Sequence, residues 1–213
     1  QKMSIASDLN PNDLKFTKPR GLTPKQLEAW NQAYGPKNEA FRKAKLEGKA
    51  LVRWKYQRYI KDYLRCVAAV DDGIGQVLGY LEESGLDENT IVIYSSDQGW
   101  YLGDHGWYDK RWMYEESFKM PFVISAPDHI APGTVSDQMV MNVDFAPTLL
   151  DFAGLPIPSE MQGQSFKNAF NDSVDDTRRT SVYYHYYEYP IWHKVQPHYG
   201  IRTDRYKLMH FYY

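Results

Sequence analysis

The feature that most constrains this chain is an amphipathic helix running directly into a β-branched strand. Leu64, Val67, Ala68, Ile74, Val77, Leu78 and Leu81 recur with a 3.6-residue period, which places them on one helix face. Ser84-Gly85-Leu86-Asp87 stops that helix, and Thr90-Ile91-Val92-Ile93-Tyr94 follows as a short, buried-type strand. A helix followed at once by such a run is the signature of an α/β sheet. Pro121-Phe122-Val123-Ile124-Ser125 reads as a second strand of that sheet, and the first is expected to run parallel to its neighbours. Val143 to Leu150 starts a further helix with Asp144 as its candidate cap, and Gly154-Leu155-Pro156 closes it.

The flanks are less regular. Residues 1–22 are polar and read as a loop or extended arm. Thr23-Pro24-Lys25-Gln26 is a capping box with proline at the first helical position, opening a helix expected to break at Gly35-Pro36. From Asn38 to Ser84 the pattern is helical with a break at Gly48. Residues 37–65 carry ten Lys/Arg against three Asp/Glu, a solvated helix face or a wall that attracts polyanions. After a polar linker from Asn171 to Arg179, the aromatic run Val182 to Tyr189 favours a strand. Tyr199–Thr203 and Tyr206–Tyr213 can pair as a hairpin around Asp204-Arg205. The expected organisation is thus an α/β part over residues 1–170, its first 50 residues a variable arm and helix, and a small antiparallel subdomain over 171–213.

Composition excludes several classes. A net charge of −2 argues against a general nucleic-acid binder, and no apolar run reaches the length of about 20 residues that spans a bilayer. One cysteine, Cys66, excludes an intramolecular disulfide and a Cys-rich zinc site; within its helix it reads as a core thiol. The chain opens at Gln1 with no visible leader, which is compatible with missing leading residues. Eighteen tyrosines and six tryptophans suit a surface that handles sugars, although core packing is the commoner use of such rings.

The chemistry concentrates where the first strand ends, in Ser96-Asp97-Gln98-Gly99 and the loop through Leu102-Gly103-Asp104-His105-Gly106 to Lys110. Open α/β sheets place ligands at strand carboxyl ends. Asp97 offers a charged oxygen and Gln98 a neutral one, a donor pair that favours a hard cation such as calcium or magnesium over zinc. Taken alone, Asp-Gln-Gly is as readily a strand-ending turn. His105 and Lys110 shift the balance, because an anionic ester needs cations on its oxygens and a proton source for the leaving alcohol.

These motifs resemble the type I, formylglycine-dependent sulfatases of the alkaline-phosphatase superfamily. The resemblance runs through Val70-Asp71-Asp72-Gly73-Ile74-Gly75, Ser96-Asp97-Gln98-Gly99, Leu102 to Gly106, Lys110 with Tyr114-Glu115, Met120 to Ile124, Val143 to Leu150, Gly154 to Gly163, and Arg202 to Leu208. It covers roughly residues 60–213 and corresponds to the C-terminal half of such an enzyme. The fold implied is a partial alkaline-phosphatase-like α/β/α sandwich with a small C-terminal antiparallel β subdomain. By resemblance, Asp97 and Gln98 are two calcium ligands, Lys110 contacts a sulfate oxygen, and His105 lies near the sulfate or the leaving oxygen. Asp109, Arg111 and His198 become candidate sugar contacts, with Trp192, His193 and the rings of Tyr183 to Tyr189 as a candidate subsite; surface charge and core packing are the competing readings. The implied substrate is a sulfated sugar or glycosaminoglycan, of the arylsulfatase or N-acetylglucosamine-6-sulfate kind, and the implied compartment is periplasmic, secreted or lysosomal.

One departure matters. The nucleophile motif Cys/Ser-x-Pro-x-Arg that yields formylglycine is absent: Cys66 precedes Val67-Ala68-Ala69, and Ser125-Ala126-Pro127-Asp128-His129 lacks the arginine. The early Asp pair of the metal site is absent too. The chain alone is therefore expected to be inactive, to expose apolar surface or strand edges, and to require an N-terminal half or to self-associate. Two other readings stay open: a metal-dependent phosphoesterase or phosphodiesterase of the same superfamily, and a non-catalytic polyanion-binding or partner-docking module.

Overall fold

A computed structural model describes residues 2–170 and 178–212. Most of the linker expected from Asn171 onward, and Tyr213, lie outside the described residues. The chain divides into two compact units: residues 1–79, 100–110 and 192–194 form the first, and residues 80–99, 111–191 and 195–213 the second.

In the first unit the N-terminal arm is more than a loop. Met3, Ile5, Leu9 and Leu14 are buried, and Ile5, Leu9, Leu14 and Tyr108 form a cluster with Phe16, Trp54, Tyr56 and Tyr59. Single apolar residues in a polar segment carry no periodicity, so sequence pattern does not reveal them; each buried side chain contributes about 1.5–3 kcal/mol. Helix α1, Pro24–Ala44, starts as expected, with Gln26 N donating to Thr23 Oγ1 (3.3 Å) and Thr23 N to Gln26 Oε1 (2.9 Å). The expected break at Gly35-Pro36 does not occur, and Pro36 lies inside the helix. Tertiary contacts beyond the proline hold the helix together. Asn38 donates to Lys15 O (3.0 Å) and accepts from Arg58 (2.9 Å), while Phe41 stacks on Trp54 at 3.9 Å.

The break expected at Gly48 is present, separating α1 from α2, Gly48–Ser84, with Lys45 and Gly48 both in the left-handed region. The basic stretch is not a uniform solvated face. Arg58 is buried between the rings of Trp54 and Tyr34, and Lys55 reaches Ala6 O at 2.6 Å. Burial lowers the pKa of the Arg58 guanidinium, with Asp62 opposing. A hairpin of β2, Tyr101–Leu102, and β3, Tyr108–Asp109, completes the unit; Ser4 bridges to Trp107 beside it.

In the second unit, β1, Val92–Ser95, and β4, Phe122–Ser125, fall where the β-branched runs predict. They pair antiparallel in the register Val92↔Ser125 to Ser95↔Phe122, so the parallel expectation is not what the described residues show. Apolar composition marks a buried strand but not its direction. A short helix, α3, spans Glu115–Phe118, and α4 spans Phe145–Phe152. The C-terminal part is an antiparallel sheet, β5 (Ser181–Tyr186), β6 (His198–Thr203) and β7 (Lys207–Phe211), ordered 5-6-7. Its β6–β7 hairpin turns at Asp204-Arg205 as read from sequence, closed by Thr203 N to Tyr206 O at 2.7 Å.

Cys66 corrects another expectation. It is exposed, because the segment of α2 that carries it has little packed against it. Among the described residues, no helix is long and apolar enough to cross a membrane.

Candidate active site

Asp97 and Gln98 follow β1 directly in the second unit. Gln98 Nε2 donates to Ser117 O (2.8 Å) and Ser117 Oγ (3.1 Å), which fixes the amide so that Oε1 is the atom turned away. Gly99 N also donates to Ser117 O (3.1 Å), and a Cβ at Gly99 would overlap the carbonyl oxygens of Glu116 and Ser117. Only glycine permits that approach. Asp97 keeps an exposed carboxylate, while its backbone oxygen accepts from Asn142 Nδ2 at 3.0 Å. The result is two consecutive residues offering side-chain oxygens, one anionic and one neutral, on an anchored loop. They suit a calcium ion as part of its shell. Among the described residues no group of three His, Cys, Asp or Glu side chains converges as a metal cluster.

His105, Asp109 and Lys110 belong to the first unit. His105 sits at the exposed tip of the β2–β3 hairpin at φ 58°, between Gly103 at 117° and Gly106 at 74°. Its ring lies 5.4 Å from that of Trp107 and 6.1 Å from that of Tyr101. Asp109 is 1% exposed and also has positive φ, 96°. Backbone held in such regions costs about 1–3 kcal/mol and clusters at functional sites. His193 faces Asp109, with Nε2 3.6 Å from Oδ1. Because His193 Nδ1 donates to Lys2 O (2.7 Å), Nε2 carries a proton toward Asp109 only when the ring is cationic. Lys110 Nζ lies 5.8 Å over the ring of Trp100, whose indole N–H donates to Tyr59 Oη. Burial pushes the Tyr59 hydroxyl up to about 12, so it stays protonated at neutral pH.

Arg111 and His198 belong to the second unit, where one chain of contacts joins them. Arg111 Nε pairs with Glu188 at 3.2 Å, Tyr186 donates to the same carboxylate at 3.2 Å, and the Tyr186 ring stacks 5.3 Å from His198. His198 is fully buried among Trp112, Tyr184, Tyr186 and Phe211. Its Nδ1 donates to Gln196 O (2.8 Å), and its Nε2 has no partner among the described residues. Burial lowers its pKa, the Gln196 bond opposes, and nearby His185 adds to the lowering. A neutral His198 thus presents an unused lone pair.

The sequence reading missed Ser117, Asn142 and Glu188. None carries a motif of its own, and each acts through a partner 19 to 77 residues away. It named His193 as part of a candidate sugar subsite; its position opposite Asp109 is a tertiary fact.

The sulfatase family profile matches residues 22–155, and that of the N-sulphoglucosamine sulphohydrolase C-terminal region matches 103–213. An N-acetylglucosamine-6-O-sulfatase of Bacteroides thetaiotaomicron is 52% identical over 187 residues, 87% of this chain and 34% of that protein. The N-acetylglucosamine-6-sulfatase of Bos taurus is 34% identical over 55% of this chain and 21% of its own length. A solved structure of a protein bound to its substrate D-glucosamine-2-N,6-O-disulfate superposes on the whole chain with a TM-score of 0.92 and 46% identity, this chain accounting for 47% of it. The chain therefore spans about a fifth to a half of the length of these relatives. With two family profiles each covering more than half of its length, the chain belongs to the sulfatase family of the alkaline-phosphatase superfamily.

Proposed function

We propose that this chain is the C-terminal portion of a sulfuric ester hydrolase that removes 6-O-sulfate from N-acetylglucosamine or a related glucosamine. The observation that carries the reading is the anchored Asp97-Gln98 pair in a chain 52% identical to an N-acetylglucosamine-6-O-sulfatase. Asp97 and the Oε1 of Gln98 would contribute to holding calcium, which supplies positive charge to a transferring sulfuryl group. Lys110 offers a cation for a sulfate oxygen, and His105 a proton for the departing sugar oxygen. Arg111, steadied by Glu188, would serve a sugar hydroxyl, and Asp109, buried beside His193, would do so only through exchange of that partner. His198, fully buried within its ring cluster, would back the Tyr186–Glu188–Arg111 chain rather than touch the sugar.

No residue here can become the formylglycine that the family uses, so the chain alone is inactive and the reaction needs a nucleophile supplied by further polypeptide. The test is sulfate release from N-acetylglucosamine-6-sulfate. The isolated chain should release none. The chain assembled with a formylglycine-bearing N-terminal portion should turn over, and Lys110→Ala should then lower kcat/KM by about 10²–10³-fold. Hydrolysis of phosphate diesters in preference to sulfate esters would overturn the reading.

A further inference from the structure

Within the first unit, the N-terminal arm and α1 border a cavity of about 410 Å³. Cavities of about 300–1,000 Å³ are the usual size for a small ligand. Lys15, Lys18 and Arg20 bring three cations to it, Asn12 and Thr17 add short polar groups, and no carboxylate lines it. None of the three cations has an ion-pair partner among the described residues. Like charges gathered around one space without a counter-charge make it attractive to an anion.

The arm fixes these groups in place. Leu14 is buried, Phe16 stacks on Trp54 with ring centroids 5.8 Å apart, and Phe16 N donates to Pro11 O at 2.8 Å. Between them Lys15 sits at φ 58°, in the left-handed region that residues other than glycine seldom enter. Its N donates to Asn12 O (3.0 Å), and its carbonyl accepts from Asn38 Nδ2 (3.0 Å). Pro19 disfavours helical backbone at Lys18, and positions two apart on an extended segment share a side, which brings Lys18 and Arg20 to the same cavity. Trp30 supplies an aromatic wall. Its ring lies 4.4 Å from that of Tyr34, whose hydroxyl donates to Asp62 (3.3 Å) and whose face receives the Arg58 guanidinium at 5.6 Å.

Cations suit sulfate oxygens, and an aromatic face suits the apolar side of a pyranose ring. We infer that this cavity binds a sulfated oligosaccharide, with its sulfates on Lys15, Lys18 and Arg20 and one sugar ring against Trp30. The sulfate in that ligand rests on the sulfatase reading, while the cavity shares no residue with the Asp97 loop, the β2–β3 hairpin or Lys110. A lone inorganic anion leaves most of the volume unfilled. A chain of net charge −2 is poorly suited to a nucleic-acid backbone.

The test is isothermal titration of the full chain with a heparin-derived tetrasaccharide, its desulfated counterpart, sodium sulfate, and an oligonucleotide of equal charge. One tetrasaccharide should bind per chain, and the desulfated sugar, sodium sulfate and the oligonucleotide should bind far more weakly. Lys18→Ala with Arg20→Ala should weaken the tetrasaccharide about tenfold or more, and so should Trp30→Leu. Lys49→Ala with Lys61→Ala, which removes the same charge from exposed positions of α2, should bind as wild type does. Lys18 and Arg20 are exposed, so an unchanged circular dichroism spectrum identifies their loss as a binding effect. The inference is overturned if the Lys18/Arg20 variant binds like wild type or if both charge-removing pairs weaken binding equally. It is also overturned if the desulfated sugar, sodium sulfate or the oligonucleotide binds as tightly as the tetrasaccharide. Sulfate release by an assembled enzyme, with tetrasaccharide binding indifferent to Lys18 and Arg20, keeps the sulfatase reading and removes this site. Binding that depends on Lys18 and Arg20, without sulfate release, does the reverse.

Discussion

Asp144 shows how much one carboxylate can organise. Read from sequence it is a candidate cap for α4, yet at 2% exposure it accepts from Met141 N (2.7 Å), Gln164 N (2.8 Å) and Arg179 Nη2 (2.6 Å). Two of those donors lie 20 and 35 residues away, which is why a local pattern finds the residue and mistakes its task. Asp144→Ala should cost about 3–5 kcal/mol, read as a fall in the urea midpoint, because it strands a largely buried Arg179 as well as two amides. Glu115 is a contrasting, half-exposed case. Burial pushes its pKa up, but the hydrogen bond and charge of Lys207, helped by Arg202, outweigh this and leave it below the ordinary 4.5. A depressed carboxylate stabilises the fold above its unfolded pKa and loses that contribution as pH falls through the folded value. Wild type should therefore exceed Glu115→Gln in stability at pH 7, by under about 1 kcal/mol given solvent screening, and the gap should close below pH 4.5. A gap unchanged down to pH 3 would contradict the pairing. Asp97, Gln98, His105 and Lys110 could be named as candidates from sequence because they lie within one short, ordered motif; Ser117 and Glu188 could not, because only folding brings them near their partners.

At the level of elements, the loop after β1 is held by an approach that tolerates no side chain. Gly99→Ala would drive a methyl into the backbone oxygens of Glu116 and Ser117, and relief requires moving the loop away from α3. The Gly99 N and Gln98 Nε2 bonds to Ser117 would stretch together, at a cost of about 1–3 kcal/mol. The predicted outcome is a lower melting temperature and, in an assembled enzyme, weaker calcium binding by isothermal titration. Calcium affinity equal to wild type would show that the Gln98 anchor does not matter for the metal. Helices and strands were found from sequence where periodicity, β-branching or aromatic content was dense, as in α2, β1, β4 and β5. The rest turned on distant contacts. Pro36 stays helical because Asn38 and Phe41 are fastened by Lys15, Arg58 and Trp54, and the β1–β4 pairing is antiparallel for reasons no single strand carries.

Across the whole molecule, stability should be unevenly distributed. The first unit has its apolar cluster around Ile5, Leu9 and Leu14, and the second has Met113 seated against Gly200 beneath a three-stranded sheet. Between Leu64 and Leu78, α2 has helical hydrogen bonds but no comparable burial. A helix without tertiary packing is marginal in water, since propagation beyond the nucleus gains little per residue. In the isolated chain, amide exchange over residues 64–78 should therefore proceed within about 2 kcal/mol of the unprotected rate, while amides of β6 and of the Tyr101–Leu102 strand exchange far more slowly. The periodicity that made α2 the clearest element in the sequence is the same stripe left open in the folded chain. A sequence pattern records the surface a helix was shaped to bury, and exchange measured residue by residue reports whether anything buries it. Uniform protection along α2 in the monomer would mean that the stripe is already covered, and would contradict that uneven distribution.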